Sequence, residues 1–350
     1  MNTRIIATIG PSSWDYNVLK SLIRNGTDIV RLNFSHADIK QLVDLKKNLK
    51  KIKQETGRQA LIMQDLQGPR LRIGQLDQEI ELIDEEIYIF TAGPSSIANR
   101  EIQIDDPDLY KDLKKGDLFF LSNGELELRV VDIKDKKIYA QVERGGLLVS
   151  HKGINLPNTR LRRSGLTLKD IADVEMAMKC GGIDYIALSF VQSAADLRKL
   201  RKIIAGRPIR IIAKIERAVA MENIDEIIQE SDGIMVARGD LGIEIPLEDL
   251  PIIQKNLVRH AHWHGQPAII ATQMMTSMID HPRPTRAEVS DIANAVLDDA
   301  DGLLLSDETA IGQYPTKAVA IMEKIIRRTE KYLNNKNYFD DGTIACYRHL

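Results

Sequence analysis

The chain has 350 residues, is 43% hydrophobic and carries a formal net charge of −2, so it can bury a large core and has no charge imbalance that would draw it to nucleic acid or a membrane. No apolar run approaches bilayer-spanning length, and the short one at the amino end stops at Gly10-Pro11, too short for a secretory h-region, so no secretory leader is expected there. The two cysteines, Cys180 and Cys346, have no clustered spacing that suggests a disulfide framework or a zinc knuckle, and a cytoplasmic protein is expected.

In chain order, one unit recurs: an amphipathic segment, a Gly or Asn-Gly break, then a short run rich in Ile, Val and Leu that ends in polar residues. The runs fall at 4–10, 25–34, 60–66, 182–190, 206–216, 232–238, 265–273 and 301–306, and an amphipathic helix over about 316–333 supplies the last outer layer. Eight such units predict an α/β fold, a closed (β/α)8 TIM barrel, rather than an open sheet. Between the third and fourth strands the apolar period shortens to two, as in Glu79 to Ile83 and Gly124 to Val131, with turn signals at Asn123-Gly124 and Gly145-Gly146. A small all-β barrel-like domain over 68–163 is therefore expected after the third strand, leaving 1–67 and 164–350 as the barrel. An insertion at that face can close over a site as a lid. The tail after Leu333 is polar and turn-rich and reads as irregular.

Chemistry in such a barrel sits at the carboxyl ends of the strands. The second strand ends in Arg31, Asn33, Ser35 and His36, and the third ends at Asp65. The fifth gives Lys214 and Glu216, the sixth Gly239 and Asp240, the seventh Thr272 and Gln273, and the eighth Ser306, Asp307, Glu308 and Thr309. Lys214 and Glu216 are two residues apart and point to one side of their strand. Glu216 and Asp240 can then share a divalent metal, while Lys214 and Arg31 are left to neutralise phosphate or a developing enolate. Gly239 and Gly242, which lack a Cβ, open the backbone around Asp240 to a ligand. Individually these groups have plain structural explanations: a solvated pair, a salt bridge at Arg31, helix caps at Thr272 and Ser306. Several strand ends doing it together is what those explanations do not cover. His260 and His264 share a helix face at i and i+4, but no third ligand is evident and a solvated helix end is expected.

The segments Arg31 to His36, Asp65 to Pro69, His151 to Pro157, Lys214 to Glu216, Ser231 to Pro246, Ala271 to Met274, Pro282 to Glu288 and Leu305 to Ala310 resemble pyruvate kinase, in order and at family-like separations over residues 3 to about 333. That resemblance implies transfer of a phosphoryl group from phosphoenolpyruvate to ADP, giving pyruvate and ATP. It places phosphoenolpyruvate on Arg31, Lys214, Gly239, Asp240 and Thr272, and Mg²⁺ (or Mn²⁺) on Glu216 and Asp240. Lys214 would bridge the moving phosphoryl group and the enolate. Thr272, through a water held with Ser306 and Glu308, would lie on the route that protonates the enolate carbon. Nucleotide contacts fall on Asn33, His36, Arg72 and Lys152.

The chain departs from the family pattern in four places. Potassium-dependent members carry an acid where this chain has Arg70, and Leu66, Gln67 and Ile73 resemble the potassium-independent branch, so K⁺ is expected not to be required. Asn33, Ser35 and Asp65 still match monovalent-cation ligands. Ser122-Asn123-Gly124 and His151-Lys152-Gly153 differ from the usual lid motifs, and Ser306-Asp307-Glu308 from the usual eighth-strand end. The chain also ends shortly after the eighth helix, from which no carboxyl-terminal regulatory domain, no effector control through one, and any homo-oligomer built on barrel contacts are expected. Two other readings stand beside a kinase: a Mg²⁺-dependent phosphoenolpyruvate/pyruvate-type barrel lyase or aldolase, and a non-catalytic phosphoenolpyruvate-binding sensor. Lys152 and Arg72 favour a nucleotide over the first, and retention of Lys214, Glu216, Asp240 and Thr272 weighs against the second.

Overall fold

The computed structural model describes residues 2–157, 159–162 and 164–335; Cys346, Arg163 at the expected lid boundary and the tail from residue 336 lie outside them. Eight parallel strands close into a barrel: β1 (Arg4–Thr8), β2 (Thr27–Asn33), β3 (Leu61–Asp65), β4 (Tyr185–Leu188), β5 (Arg210–Ile215), β6 (Ile234–Ala237), β7 (Ala268–Ala271) and β8 (Gly302–Leu305). Each strand is buried on both faces, which is why the runs are continuously apolar rather than alternating. One set of side chains, including Ile6, Ile29, Met63, Tyr185, Ile212, Met235 and Leu304, fills the barrel interior. The other packs under the outer helices, from Tyr16–Arg24 at the start to Pro315–Asn334 at the end.

Helix boundaries follow local chemistry. Asp38, Thr167 and Thr285 each cap a helix with a reciprocal capping box, and Gly57 closes Ile39–Thr56 in the left-handed region at φ 72°. Among the described residues no helix is long and apolar enough to cross a membrane.

Between β3 and β4 the chain builds a seven-stranded sheet and a two-stranded ribbon around a separate apolar core that includes Phe90, Phe119, Leu128 and Ile138. The sheet curls on itself, because Gly74 N–H donates to Gln103 O at 2.8 Å and Asp105 N–H to Arg72 O at 3.1 Å, joining its two edges. The turn at Ser122–Gly124 holds Asn123 at φ 58°, and Gly145-Gly146 links two further strands. The longest hairpin, Leu126–Lys134 with Lys137–Arg144, turns at Asp135 and Lys136 with φ 51° and 61°, a turn with no glycine to mark it in the sequence.

The chain enters this unit through Gly68, at φ +68°, whose N–H donates to Asp170 Oδ1 at 3.2 Å. A Cβ there would meet the Phe190 ring at 2.9 Å and Ser189 Cβ at 3.0 Å, so both conformation and space require glycine.

Candidate active site

The carboxyl ends of the barrel strands surround a cleft lined among others by Arg31, Asn33, Ser35, Arg70, Lys214, Glu216, Asp240, Thr272 and Ser306. At its floor Lys214 Nζ lies 2.9 Å from Glu216 Oε1, 3.2 Å from Asp65 Oδ1 and 2.7 Å from Ser189 Oγ. The strand period that aims Lys214 and Glu216 to one side is thus realised. Burial works against the ammonium, but the Asp65 and Glu216 carboxylates overcome it and hold the Lys214 pKa above its ordinary value. Lys214 is therefore a fixed cation.

Asp65, 1% exposed, is the hub of this floor. It accepts from Arg31 Nε at 2.6 Å on one oxygen and faces Lys214 with the other, while Arg31 also donates to Thr8 Oγ1 at 2.9 Å. Burial alone would push the Asp65 carboxyl up, yet the Lys214 charge, then Arg31, hold it below the ordinary carboxylate range. The register explains the convergence: Asn33 lies beside Asp65 across β2 and β3, and Asp65 beside Ala187 of β4.

Glu216, 2% exposed, uses its second oxygen to accept the Phe190 N–H at 2.7 Å. Phe190 turns that N–H inward by taking φ 54°, a left-handed conformation that a bulky residue rarely adopts. The Glu216 pKa is raised, first by burial, with the Lys214 charge opposing and the nearby Asp240 carboxylate adding to the rise. Two carboxylates lining the same open space form a hard-oxygen donor set that fits a divalent cation. Asp240 lies in the short helix Arg238–Glu244 directly after β6, with Arg70 Nη2 at 3.9 Å.

The opposite wall is Thr272, whose hydroxyl donates to Ala271 O at 2.6 Å and accepts the Gly239 N–H at 2.6 Å. The Gly239 N–H expected to meet substrate is thus turned onto Thr272. Thr272 and Gln273 both have positive φ, 70° and 56°, and Arg238 spans the bend by donating to Thr272 O at 2.8 Å and to Asp291. Thr272 is not a helix cap, whereas Ser306 is the N-cap residue of Asp307–Ala310. Glu308 is buried and accepts the N–H groups of Met275 at 2.9 Å and Ser306 at 2.8 Å, so it ties the loops after β7 and β8 together from behind the cleft. Burial pushes its carboxyl up.

Of the residues expected to contact nucleotide, Asn33 lines the cleft; His36, Arg72 and Lys152 lie outside its lining. Arg72 and Lys152 share one edge of the inserted unit, where Ile73 N–H donates to Lys152 O at 3.0 Å. Burial, then the adjacent Arg70 charge, pushes the Arg72 pKa down. His260 Nδ1 and His264 Nε2 lie 3.1 and 3.3 Å from one oxygen of the exposed Asp225 side chain, at the partly exposed carboxyl end of their helix. Among the described residues no group of three His, Cys, Asp or Glu side chains is arranged to hold a metal.

Sequence reasoning missed Ser189, Phe190, Thr8, Arg217 and Arg238. Ser189 had a signal, a lone hydroxyl closing the apolar run of β4; it accepts from Lys214 and donates to Leu66 O at 2.7 Å.

Residues 1–319 match the family model described as the barrel domain of pyruvate kinase. A pyruvate kinase of Thermococcus litoralis is 39% identical over 339 residues, 96% of this chain and 71% of the relative. One of Thermotoga maritima is 38% identical over 337 residues, 95% and 72% respectively. The crystal structure of a pyruvate kinase from Cryptosporidium parvum superposes with a TM-score of 0.90 at 37% identity, covering 94% of this chain and 69% of that one.

Proposed function

The chain belongs to the pyruvate kinase family and is a phosphotransferase, and we propose that the cleft at the carboxyl face of its barrel moves the phosphoryl group of phosphoenolpyruvate to ADP with the residues named above. The observation that carries this assignment is Lys214, a buried permanent cation held at the floor by Asp65, Glu216 and Ser189 with its open side toward the cleft.

Phosphoenolpyruvate presents a phosphate and a carboxylate. Arg31 and Lys214 supply two fixed positive charges for the phosphoryl end, already oriented by Asp65, so they need no rearrangement as charge shifts to the enolate oxygen. Glu216 and Asp240 would hold Mg²⁺ or Mn²⁺; when bound, that ion neutralises phosphate and carboxylate oxygens and fixes them relative to Lys214. Thr272 and Ser306 line the same cleft, where they would face the carbon that takes a proton. Glu308 acts as a positioning residue for those two loops, since its carboxylate is spent on backbone N–H groups.

For the nucleotide, the Arg72 pKa is pushed down first by burial and then by the Arg70 charge, a repulsion that a polyphosphate would relieve. Lys152 lies on the same edge of the inserted unit as Arg72, Asn33 lines the cleft with Arg70, and His36 would complete the contacts to the nucleotide. Arg70 also supports activity without K⁺: its guanidinium lies 3.9 Å from Asp240 in the cleft that Asn33 and Ser35 also line, and Asp65 is engaged by Arg31 and Lys214. Cytoplasmic glycolysis is the setting that fits these substrates.

The test is ³¹P NMR of phosphoenolpyruvate incubated with ADP and Mg²⁺. ATP should appear as the enol phosphate signal declines, and chelation of Mg²⁺ should stop both; hydrolysis to free phosphate without ATP would overturn the assignment.

A further inference from the structure

Arg217 directly follows Glu216 yet points away from the cleft, and it is 4% exposed. Its Nη2 donates to Leu156 O at 3.0 Å and Thr159 O at 2.7 Å, its Nη1 to Gln192 Oε1 at 3.1 Å, and its Nε lies 3.6 Å from Glu244 Oε1. The partners come from three parts of the molecule. Leu156 and Thr159 lie on the strap that leaves the inserted sheet after its strand Gly153–Asn155, next to Lys152. Glu244 ends the short helix that carries Asp240, and its other oxygen accepts the Ala218 N–H at 3.2 Å.

A buried guanidinium can be no more than a staple. Two observations give it a larger part. It is one residue from a proposed metal ligand and, through Glu244, at the far end of the helix bearing the other. It also lines, with Arg70, Asn155, Asp240 and Glu244, a cavity between the inserted unit and the barrel, a space that any movement of that unit toward the barrel would alter.

From this, and resting on the function proposed above, we infer that Arg217 is a positioning residue that couples the seating of the inserted domain to the geometry of the Glu216–Asp240 pair, so that nucleotide and metal are bound through one shared contact. Its planar fork suits the task, because a single group satisfies two carbonyls, an amide and a carboxylate in fixed directions. A lysine keeps the charge but is a point donor that cannot hold them together.

The test uses the full chain and two binding measurements that need no turnover: Mn²⁺ affinity by electron paramagnetic resonance without nucleotide, and ADP affinity by calorimetry at saturating Mg²⁺. Arg217→Lys and Glu244→Gln should each weaken both by about 5-fold or more, while thermal unfolding shows the proteins folded. A structural staple alone would lower the melting temperature and leave both affinities of the folded protein within about 2-fold. That result, or a loss confined to one of the two ligands, overturns the coupling. If Arg217→Lys does not fold, Glu244→Gln carries the comparison, since it leaves Arg217 with its three oxygen acceptors. A wild-type protein that makes no ATP would sink the proposed function without deciding this one.

Discussion

Replacing Asp65 by Asn removes one negative charge from between two cations and changes almost no volume. At an effective dielectric near 20, contacts of 2.6 Å to Arg31 and 3.2 Å to Lys214 correspond to attractions of about 6 and about 5 kcal/mol. Desolvation of buried ions cancels much of that, and losing one partner of a buried pair costs about 3–5 kcal/mol. Glu216 still faces Lys214, but Arg31 is left with the Thr8 hydroxyl. Denaturant unfolding at pH 7 should therefore show Asp65→Asn destabilised by about 3–5 kcal/mol. The pH dependence follows from the lowered Asp65 pKa. Its contribution is fully present above the unfolded value near 3.9 and fades as pH falls through the lower folded value, so the gap between variant and wild type should be flat from about pH 5 to 8 and narrow below about pH 4. A gap under about 1 kcal/mol at pH 7, or one that persists unchanged in acid, would refute the assignment of Asp65 as the electrostatic hub.

Ser189→Ala deletes the neutral acceptor 2.7 Å from Lys214, and because the bond involves a charged group it should cost about 1.5–3 kcal/mol in thermal or denaturant unfolding, with kcat falling more than KM for phosphoenolpyruvate rises. Gly68→Ala places a Cβ 2.9 Å from the Phe190 ring at a φ of +68°; a loss of about 1–3 kcal/mol is expected, and unchanged stability would show that the entry to the inserted unit is not constrained as described. Wild-type turnover with an inert counter-ion should match turnover with K⁺ within about 2-fold, whereas Arg70→Glu should become K⁺-dependent; a large loss on removing K⁺ from the wild type counts against the charge substitution.

The barrel was legible because parallel strands buried on both faces read as continuous apolar runs, and because Gly or Asn-Gly breaks mark the helix ends. The inserted unit announced itself by its change of period, but its hairpin at Asp135-Lys136 carries no glycine and leaves no turn signal. In the site, Lys214, Glu216, Asp65, Arg31 and Thr272 were visible as charged or polar groups ending apolar strands, and the structure brings them together. Glu308 was visible too, but its burial against two backbone N–H groups depends on loops that only the fold brings near. Arg217 was invisible for the same reason: its acceptors at Leu156 and Thr159 lie 61 and 58 residues away in the chain and are main-chain oxygens, which no side-chain pattern reveals. Ser189 was passed over because a serine closing a strand has an ordinary explanation as a turn residue.

The central claim is that a fixed ammonium at the end of β5 carries the transfer, and Lys214→Met tests it most directly. Pyruvate formation from phosphoenolpyruvate should require ADP in the wild type. In the variant kcat should fall by about 10³-fold or more, the scale seen when a preorganised charge stabiliser is removed, while the folded protein still binds ADP. ADP-dependent turnover in Lys214→Met within about 10-fold of wild type would contradict the account.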